Sequence, residues 1–510
     1  MFGCGARRAE GVAHCVRCVR CVHAVCLANP PCHRYNLMGI CRKAGVVTDI
    51  AQFVGQRVHL VGIGGSSMAG LAQMLYQEGY QVTGSDRSDG YALQHLRDMG
   101  IDARAGHFPE WIEGAALLVY SAAISPGDAE RQAAAALGIP QMERAVLLGQ
   151  LMRGYDNTVC VCGTHGKTTV SAMIAQMLLE MGQDPTVHIG GSLDAIGGGS
   201  RLGSKALFVA EACEFNRSFL HMPPTLALVT NIEADHLDTY GDMAHLVDAF
   251  GQFLDKLPPD GVAIGLKDDE RVMSLLSKLD RRAITFGFDK NSDWTLSDIT
   301  YNDTGCPTFT ALHHGRKVCQ VALQVGGDFN ALHALSALAV ADVLGLDVPK
   351  AAQALHHYLG ARRRFEHTGV INGMMMYHDY GHNPAEMRAA LSVAKKHNRR
   401  VIAVMQPHTY SRVKTLFDEY LTCTREADIT LVTDIFAARE VDPGDIDSSM
   451  LVDGMKAHGI DAHLTRTFDD TEAWLLAHGR PGDLVLTMSC GDIHLLNQQM
   501  QEHWDAKQAK

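Results

Sequence analysis

A glycine-rich loop at residues 163–169 constrains the fold of this chain more than any other feature. An apolar run at 158–162 predicts a buried strand before the loop, and helical periodicity follows it through residue 180. Glycines let backbone N–H groups close around a phosphate, and the start of the following helix adds positive potential. Strand, loop and helix in this order predict an α/β domain that binds a phosphate-bearing ligand at the carboxyl edge of its sheet.

The loop has the residues of a nucleotide site. Its spacing, Gly163-x-x-Gly166-Lys167-Thr168, is shorter than GxxxxGKT because position 161 is Val rather than Gly. Lys167 is expected to reach the terminal phosphates, and the Thr168 hydroxyl to ligate Mg²⁺. We therefore predict ATP and Mg²⁺ as ligands. The predicted ATP contacts in the loop are Gly163, Thr164, His165, Gly166, Lys167, Thr168 and Thr169.

Polar residues follow the next two predicted strands. The strand at 207–210 leads to Glu211 and Glu214, and the strand at 226–230 leads to Asp235 and His236. The carboxyl ends of neighbouring parallel strands lie at one edge of a sheet, where ligands of open α/β sheets bind. These four side chains are therefore candidates to surround a metal-bound nucleotide.

A second glycine loop, at residues 62–67, is a weaker signal. Gly62-x-Gly64-x-x-Ser67 lacks the third glycine of a dinucleotide fingerprint, although Asp86 stands about twenty residues further on. Alone it would suggest a dehydrogenase, yet it could equally hold the diphosphate of a UDP-sugar. The separate ATP loop favours the UDP-sugar, because a ligase uses both ligands and a dehydrogenase has no use for ATP.

Composition argues against two classes of partner. The formal net charge is −12, which disfavours a nucleic-acid surface, because phosphate backbones are bound mainly by Lys and Arg. No apolar run approaches the roughly 18 residues of a membrane span, so we expect no membrane insertion. Outside residues 1–43 the cysteines are scattered, as in proteins of a reducing cytosol.

Residues 1–50 are predicted to be a separate head rich in Cys and Arg. Residues 1–43 hold seven of the fourteen cysteines. Cys15-x-x-Cys18-x-x-Cys21, with His14, His23 and His33 nearby, offers soft metal ligands at short spacing. There is no second CxxC pair at the usual distance, and the repeated Val-Arg-Cys-Val is typical of low-complexity sequence. We favour a misassigned start, with Met38 as the true first residue.

From residue 57 to about 495, the ordered motifs resemble those of the Mur ligases of peptidoglycan precursor synthesis. Five blocks that carry the resemblance besides the ATP loop are 62–70, 84–86, 231–240, 363–366 and 379–382. The blocks 406–412, Gln-Pro-His-Thr-Tyr-Ser-Arg, and 434–440, Asp-Ile-Phe-Ala-Ala-Arg-Glu, are most similar to those of the alanine-adding member.

The resemblance implies an α/β fold of three domains. They would be a Rossmann-like UDP-sugar-binding domain at 51–155, a central P-loop ATPase domain at 156–360 and a Rossmann-like amino-acid-binding domain at 361–510. The implied activity is ATP-dependent ligation of L-alanine to the carboxylate of UDP-N-acetylmuramate through an acyl phosphate. The implied setting is the bacterial cytoplasm, where the enzyme would be a monomer or a homodimer that serves cell-wall synthesis, cell shape and division.

The resemblance also implies roles for individual residues. The implied metal ligands are Thr168, Glu211 and His236, and the implied catalytic residues are Lys167, Glu211 and His236. Further implied ATP contacts are Asn330 and Asp379 at adenine and ribose and Arg364 on the phosphate side. The implied UDP-sugar contacts are Gly62, Gly64, Gly65, Ser85 and Asp86. The implied amino-acid contacts are Tyr380, His382 and Arg412, and Arg412 could hold the amino acid's carboxylate as a fork.

Three departures from the family pattern keep alternatives open. Phe329 and His333 stand where the family often has His and Asn, and Cys213 stands where it has Asp. A thiol is a poor replacement for a carboxylate as a Mg²⁺ ligand. The alternatives are a ligase of the same fold that adds a wall tripeptide, glycine or serine, and a catalytically silent nucleotide-binding protein.

Overall fold

The computed structural model describes residues 49–302, 304–438 and 440–508, apart from the side chains of residues 237 and 238. The cysteine cluster of the predicted head and Met38 lie outside these ranges. The metal-site interpretation and the misassigned start therefore both concern residues outside the described part of the chain. Within the described ranges, three sheets follow one another along the chain.

The first sheet consists of five parallel strands. They are β1 (Arg57–Val61), β2 (Gln81–Asp86), β3 (Asp102–Ala105), β4 (Leu117–Tyr120) and β5 (Gln141–Glu143). The helices are α1 (Ser66–Gln77), α2 (Tyr91–Asp98), α3 (Ala129–Leu137) and α4 (Arg144–Met152). The order β3-β2-β1-β4-β5 places β1 at the centre. Buried Val58, Leu60 and Val61 make β1 apolar on both faces, as expected for a strand between layers of helices.

The central sheet has ten strands. They are β6 (Asn157–Cys162), β7 (Thr186–Leu193), β8 (Gly198–Arg201), β9 (Leu207–Glu211), β10 (Leu226–Val229), β11 (Val262–Leu266), β12 (Arg282–Phe286), β13 (Trp294–Tyr301), β14 (Pro307–His313) and β15 (Arg316–Ala322). The order is β15-β14-β13-β12-β11-β10-β6-β9-β7-β8. The strands from β12 to β7 are parallel, whereas β8, β14 and β15 pair antiparallel at the two edges.

Both faces of the central sheet are covered. The helices are α5 (Lys167–Glu180), α6 (Leu237–Tyr240), α7 (Met243–Leu254), α8 (Glu270–Leu276), α9 (Asp328–Val343) and α10 (Val348–Leu355). Strand β6 shows the alternation, because Val159 and Val161 belong to the core formed with α5 and α9, whereas Cys160 and Cys162 belong to the core formed with α7. This alternation places the loop that follows β6 at the carboxyl edge, above both cores.

The third sheet has six strands in the order β16-β17-β21-β18-β19-β20, with only β16 antiparallel to its neighbour. They are β16 (Glu366–Ile371), β17 (Met374–Asp379), β18 (Val401–Met405), β19 (Ile429–Val432), β20 (Ala462–Leu464) and β21 (Leu484–Met488). The helices are α11 (Pro384–Lys395), α12 (Tyr410–Thr415), α13 (Phe417–Tyr420), α14 (Ser448–Ala457), α15 (Phe468–His478) and α16 (His494–Gln508).

The prediction of an α/β fold with parallel sheets is confirmed. Short 3₁₀ segments complete the described structure, at Ile50–Phe53, Pro109–Ile112, Asp194–Ile196 and Phe215–His221. Among the helices described, none is both long and apolar enough to cross a lipid bilayer.

Candidate active site

The loop after β6 has a backbone that only glycine can supply at two positions. Gly163 and Gly166 have φ values of 131° and 83°. A Cβ would lie 2.0 Å from Thr230 Oγ1 at Gly163, and 2.5 Å from His333 Nε2 at Gly166. The loop therefore packs closely against β10 and α9, and both glycines are required for its shape.

Thr230 and Asn231, which directly follow β10, hold the loop in place by hydrogen bonds. The backbone N–H of Thr164 donates to the carbonyl of Asn231 at 2.9 Å, and that of His165 donates to Asn231 Oδ1 at 2.9 Å. Thr230 Oγ1 donates to the His165 carbonyl at 2.6 Å. No side chain of the described residues caps α5, so its first N–H groups remain for a ligand at the helix N-terminus.

Lys167 is a largely buried cation held by one carboxylate and two carbonyls. Its Nζ donates to the carbonyls of Gly163 and Thr164, at 2.6 and 2.9 Å, and to Glu214 Oε1 at 3.0 Å. Burial lowers the pKa of Lys167, but the carboxylates of Glu214 and Glu211 outweigh it and raise the pKa above its ordinary value. The side chain therefore remains charged and close to the loop.

Oxygen atoms gather beside Lys167. Thr168 Oγ1 donates to Glu211 Oε2 at 2.8 Å, and the N–H of Gly190 donates to the same oxygen at 2.8 Å. Glu214 Oε2 is buried and has no hydrogen bond, although it lies 3.0 Å from Lys167 Nζ. Oxygens of this kind are the ligands that Mg²⁺ prefers.

His236 lies next to Glu214, one of the oxygen-bearing residues beside Lys167. Its Nε2 is 4.0 Å from Glu214 Oε1 and 3.8 Å from Asp235 Oδ2, and its ring packs against Phe215. The structure thus brings His236 to Glu214, while Thr168 and Glu211 contact each other directly. In the described part of the chain, the one cluster of three His, Asp or Glu ligand atoms within 4.8 Å is His107, Asp128 and Glu130, beside the first sheet.

A cavity of about 690 Å³ opens between the loop and the third sheet. Seven of the ten predicted ATP residues line it, and Gly163, Thr164 and Lys167 do not. The seven are His165, Gly166, Thr168, Thr169, Asn330, Arg364 and Asp379. Other lining residues are aromatic, with the Phe365 and Tyr377 rings 4.8 Å apart. One cavity therefore has both a phosphate-binding wall and a wall suited to a planar base.

Asn330 and His333 form a hydrogen-bonded pair in this cavity. Asn330 Nδ2 donates to the Gly326 carbonyl at 2.7 Å, and His333 Nδ1 lies 3.2 Å from Asn330 Oδ1. Burial lowers the pKa of His333 to about 4, so the imidazole is neutral at physiological pH. Phe329, the other departure from the family pattern, packs its ring against His333.

Arg364 and Asp379 lie at the junction of the central and third sheets. Arg364 Nη2 is 3.5 Å from Thr168 Oγ1. Both oxygens of Asp379 accept backbone N–H groups, from Phe365 at 2.8 Å and Gly381 at 2.7 Å. Burial raises the pKa of Asp379. Asp379 lines the cavity, and its two hydrogen bonds also hold the backbone at Phe365 and Gly381 in place.

His165 carries a charge that joins two parts of the site. Its Nε2 lies 3.3 Å from Glu233 Oε2, and its Nδ1 lies 3.5 Å from Glu386 Oε1 at the start of α11. Burial lowers the pKa of His165, but the two carboxylates prevail and raise it to about 9. The imidazolium therefore bridges the phosphate loop and the third sheet.

The three predicted amino-acid residues lie near one another. The guanidinium groups of Arg363 and Arg364 lie 4.8 and 4.9 Å from the centre of the Tyr380 ring. The His382 ring is 5.8 Å from those of Tyr380 and His408. Arg412 Nη1 lies 3.2 Å from His408 Nδ1, and no described carboxylate is within 4.0 Å of its guanidinium.

The first glycine loop is closed by β2. The N–H groups of Gly62 and Ile63 donate to the Ser85 carbonyl, and that of Gly64 donates to Asp86 Oδ2 at 3.0 Å. Gly65 follows as the residue before α1. The Ser85 hydroxyl is fully buried and donates to Glu130 Oε2 at 2.5 Å, so Ser85 contributes its carbonyl to the loop and its hydroxyl to the interior.

Three family models match successive parts of the chain. The Mur ligase family catalytic domain matches residues 57–156, the Mur ligase middle domain 161–341, and the Mur ligase glutamate ligase domain 363–491. The chain belongs to the Mur ligase family. Its nucleotide loop, with Lys167, Thr168 and Glu211, thus lies where the middle-domain model matches.

Individual Mur ligases are similar over nearly the whole described chain. The UDP-N-acetylmuramate–L-alanine ligase of Caldanaerobacter subterraneus subsp. tengcongensis is 40% identical over 89% of this chain and 98% of its own. The solved UDP-N-acetylmuramate-alanine ligase of Thermotoga maritima superposes with a TM-score of 0.77 and 25% identity, over 89% and 100% of the two chains. A murein peptide ligase from Psychrobacter arcticus shares the fold, with a TM-score of 0.67 and 24% identity over 88% and 98%.

Two residues of this Mur ligase were not predicted from the sequence. Glu386 contacts His165 and also caps α11 with Asn383, so the spacing Asn383-x-x-Glu386 was a local signal for it. Arg144 contacts Ser67, which is distant in sequence, and the sequence around Arg144 gives no comparable signal.

Proposed function

We propose that this Mur ligase joins the amine of L-alanine to the lactyl carboxylate of UDP-N-acetylmuramate, with conversion of ATP to ADP and phosphate. The observation that carries the proposal is that one cavity has the phosphate loop on one side and the third sheet, with Arg364 and Glu386, on the other. Similarity to alanine-adding ligases over the length of the described chain supports the choice of substrates.

The chemistry begins with activation, because a carboxylate is a poor electrophile. A carboxylate oxygen of the sugar attacks the γ-phosphorus of ATP, and ADP leaves, which gives an acyl phosphate. The neutral amine of alanine then attacks the acyl carbon, loses a proton, and phosphate departs with the bridging oxygen. We assign stabilisation of the charge on the transferred phosphoryl group to the N–H groups at the start of α5 and to the ammonium of Lys167, which the structure holds on the loop.

The oxygen-rich group beside Lys167 fits Mg²⁺. Thr168 Oγ1 and Glu211 would hold the ion, and the Glu214 carboxylate and the His236 ring lie beside these two residues. Burial raises the pKa of the Cys213 thiol to about 11, so this departure from the family pattern offers no thiolate ligand. When bound, Mg²⁺ supplies positive charge to the phosphates of ATP.

The amino acid would bind beyond the cavity, at the end of β17. We assign its carboxylate to the Arg412 guanidinium, which has no acidic partner among the described residues. Tyr380 and His382 are assigned as further residues that contact the amino acid. Asn330 and Arg364 are assigned to the base and phosphates of ATP, and Asp379 to the ribose edge. The first glycine loop, with Gly62, Gly64, Gly65 and Asp86, is assigned to the UDP-sugar. We propose the bacterial cytoplasm as the setting, since the reaction consumes ATP.

Phosphate release tests the proposal. With ATP and Mg²⁺, release should require both UDP-N-acetylmuramate and L-alanine, and the product should have the mass of the ligated pair. Release with a wall tripeptide, glycine or serine in place of L-alanine would identify the corresponding alternative ligase. Absence of release with every acceptor would leave a silent nucleotide-binding protein, and oxidation of NADH would restore the dehydrogenase hypothesis.

A further inference from the structure

Arg144, the first residue of α4, is a partly buried cation without an acidic partner. Its Nη1 donates to Ser67 Oγ at 2.9 Å. Among the residues the structure describes, no carboxylate oxygen lies within 4.0 Å of its guanidinium, including that of the adjacent Glu143. A partly buried guanidinium with a single hydroxyl partner has most of its N–H donors available for an anion.

Burial lowers the pKa of Arg144, and Cys213 and the carboxylate of Glu143 offset this effect only in part. Ser67 Oγ is also 2.7 Å from His188 Nε2, and His188 Nδ1 is 3.0 Å from Ser200 Oγ. Burial, together with the positive charge of Arg144, lowers the pKa of His188 to about 3. The guanidinium can only donate, so Ser67 Oγ accepts from it and can donate its own hydrogen bond to His188 Nε2. The network orients Arg144 without neutralising it.

Arg144 lies between the two glycine loops. Ser67 is the residue at the end of the first loop pattern and belongs to the first turn of α1. Further along α4, a Cβ on Gly149 would lie 2.0 Å from the His221 carbonyl, so α4 packs against Phe215–His221. That segment directly follows Glu214, the carboxylate that holds Lys167. Cys213, the residue before Glu214, lies near enough to Arg144 to raise its pKa. The guanidinium is therefore held beside the proposed sugar loop by Ser67 and lies near the end of β9, where Glu211 and Glu214 are.

We infer that Arg144 binds the lactyl carboxylate of the UDP-sugar and holds it toward the γ-phosphate of ATP. This inference rests on the proposed function. A guanidinium can hold a carboxylate with two parallel N–H bonds, a geometry that an ammonium cannot reproduce. Arg144, Arg364 and Arg412 each have a neutral partner and no carboxylate within 4.0 Å among the described residues. Each then serves one anionic group: the lactyl carboxylate of the sugar, the phosphates of the nucleotide and the carboxylate of the amino acid.

UDP-N-acetylmuramate carries a second anionic group, its diphosphate, to which Arg144 could bind instead. Comparison with a second sugar nucleotide distinguishes the two groups. UDP-N-acetylglucosamine carries the same UDP but lacks the lactyl carboxylate. Binding of both ligands, and of ATP, should be measured by calorimetry on the full chain for wild type, Arg144→Gln and Arg144→Lys. The matched control is Arg153→Gln, because Arg153 is exposed at the other end of α4 and its side chain has no hydrogen-bond or ion-pair partner among the described residues.

Arg144→Gln should weaken binding of UDP-N-acetylmuramate by about 10- to 100-fold, the range for hydrogen bonds to a charged group. Binding of UDP-N-acetylglucosamine and ATP should change by less than about 2-fold, Arg144→Lys should recover part of the loss, and Arg153→Gln should match wild type. Equal weakening for both sugar nucleotides would overturn the carboxylate assignment in favour of the diphosphate. Weaker binding of ATP as well, or no change for any ligand, would also overturn it. If wild type does not bind UDP-N-acetylmuramate, the proposed function fails first, and the inference fails with it.

Discussion

At the scale of single residues, Lys167 is the side chain on which phosphoryl transfer depends most. Glu214 and two loop carbonyls hold its ammonium group in place. Lys167→Ala should reduce phosphate release at least about 100-fold, because it removes a fixed cation from the developing charge. Binding of UDP-N-acetylmuramate should persist, since that ligand is assigned to another loop. Lys278→Ala, an exposed position, is the control, and near-normal ATP turnover in Lys167→Ala would refute the loop's role.

Arg412 gives a second test at this scale. Its assigned ligand is the carboxylate of L-alanine, and its protein partner is the imidazole of His408. Arg412→Gln should raise KM for L-alanine by about 10- to 100-fold, because a charge-assisted hydrogen bond is lost. KM for ATP should change little. Initial rates measured against each substrate in turn separate the two effects, and an equal increase in both constants would place Arg412 outside the amino-acid site.

His165 predicts a pH dependence of stability. Its pKa is about 9 in the folded chain and about 6.5 in an unfolded chain, because Glu233 and Glu386 face it. A raised pKa stabilises the folded state fully below pH about 6.5, and the contribution is lost as the pH rises through about 9. The melting temperature of wild type should therefore approach that of His165→Asn between these values. A constant difference between the two proteins across this range would show that the ion pairs contribute no such stability.

At the scale of elements, the turn between α10 and β16 depends on Asp379. Arg363 and Phe365 have φ values of 64° and 47°, which non-glycine residues rarely adopt, and the Asp379 carboxylate accepts the Phe365 N–H. Asp379→Asn should destabilise the protein by about 1–3 kcal/mol, because an amide cannot accept both backbone N–H groups. Chemical denaturation, with exposed Asp418→Asn as the control, measures this. Unchanged stability would mean that the turn is held by other contacts.

The parts of the fold that were predictable are the apolar parallel strands. β6, β18 and β21 are almost wholly buried and consist mainly of Val, Ile, Leu, Met and Cys, so their own sequences are enough to predict them. Strands β13 to β15 form an antiparallel edge with mixed exposure, and no comparable apolar run marks them. Edge strands of this kind are specified by their neighbours rather than by their own composition.

The same distinction applies to the site. The ATP loop was recognisable because its glycines, Lys167 and Thr168 act in one short segment. Arg144 was not, because its environment comes from Ser67 and His188, which other elements supply. Ser85 could not be placed from its motif either, because its hydroxyl donates to buried Glu130, which a distant helix supplies.

At the scale of the whole molecule, three anionic groups, one on each substrate, must meet in a protein with a net charge of −12. The structure places one cation without a carboxylate partner near each of three sites: Arg144 between the two glycine loops, Arg364 in the cavity, and Arg412 near the end of β17. The described structure thus offers local positive charge where each reacting group would bind, although the overall field is repulsive. This arrangement supports a ligase more than a nucleotide-binding protein with one anionic ligand.

The central claim is that ATP activates the sugar carboxylate directly. UDP-N-acetylmuramate labelled with ¹⁸O in its carboxylate, incubated with ATP, Mg²⁺ and L-alanine, tests it by mass spectrometry of the released phosphate. An acyl phosphate predicts transfer of one carboxylate oxygen to each phosphate, because the amine displaces phosphate by cleavage of the acyl C–O bond. Ligated product accompanied by unlabelled phosphate would show that ATP is cleaved without activating the carboxylate, and would contradict the account.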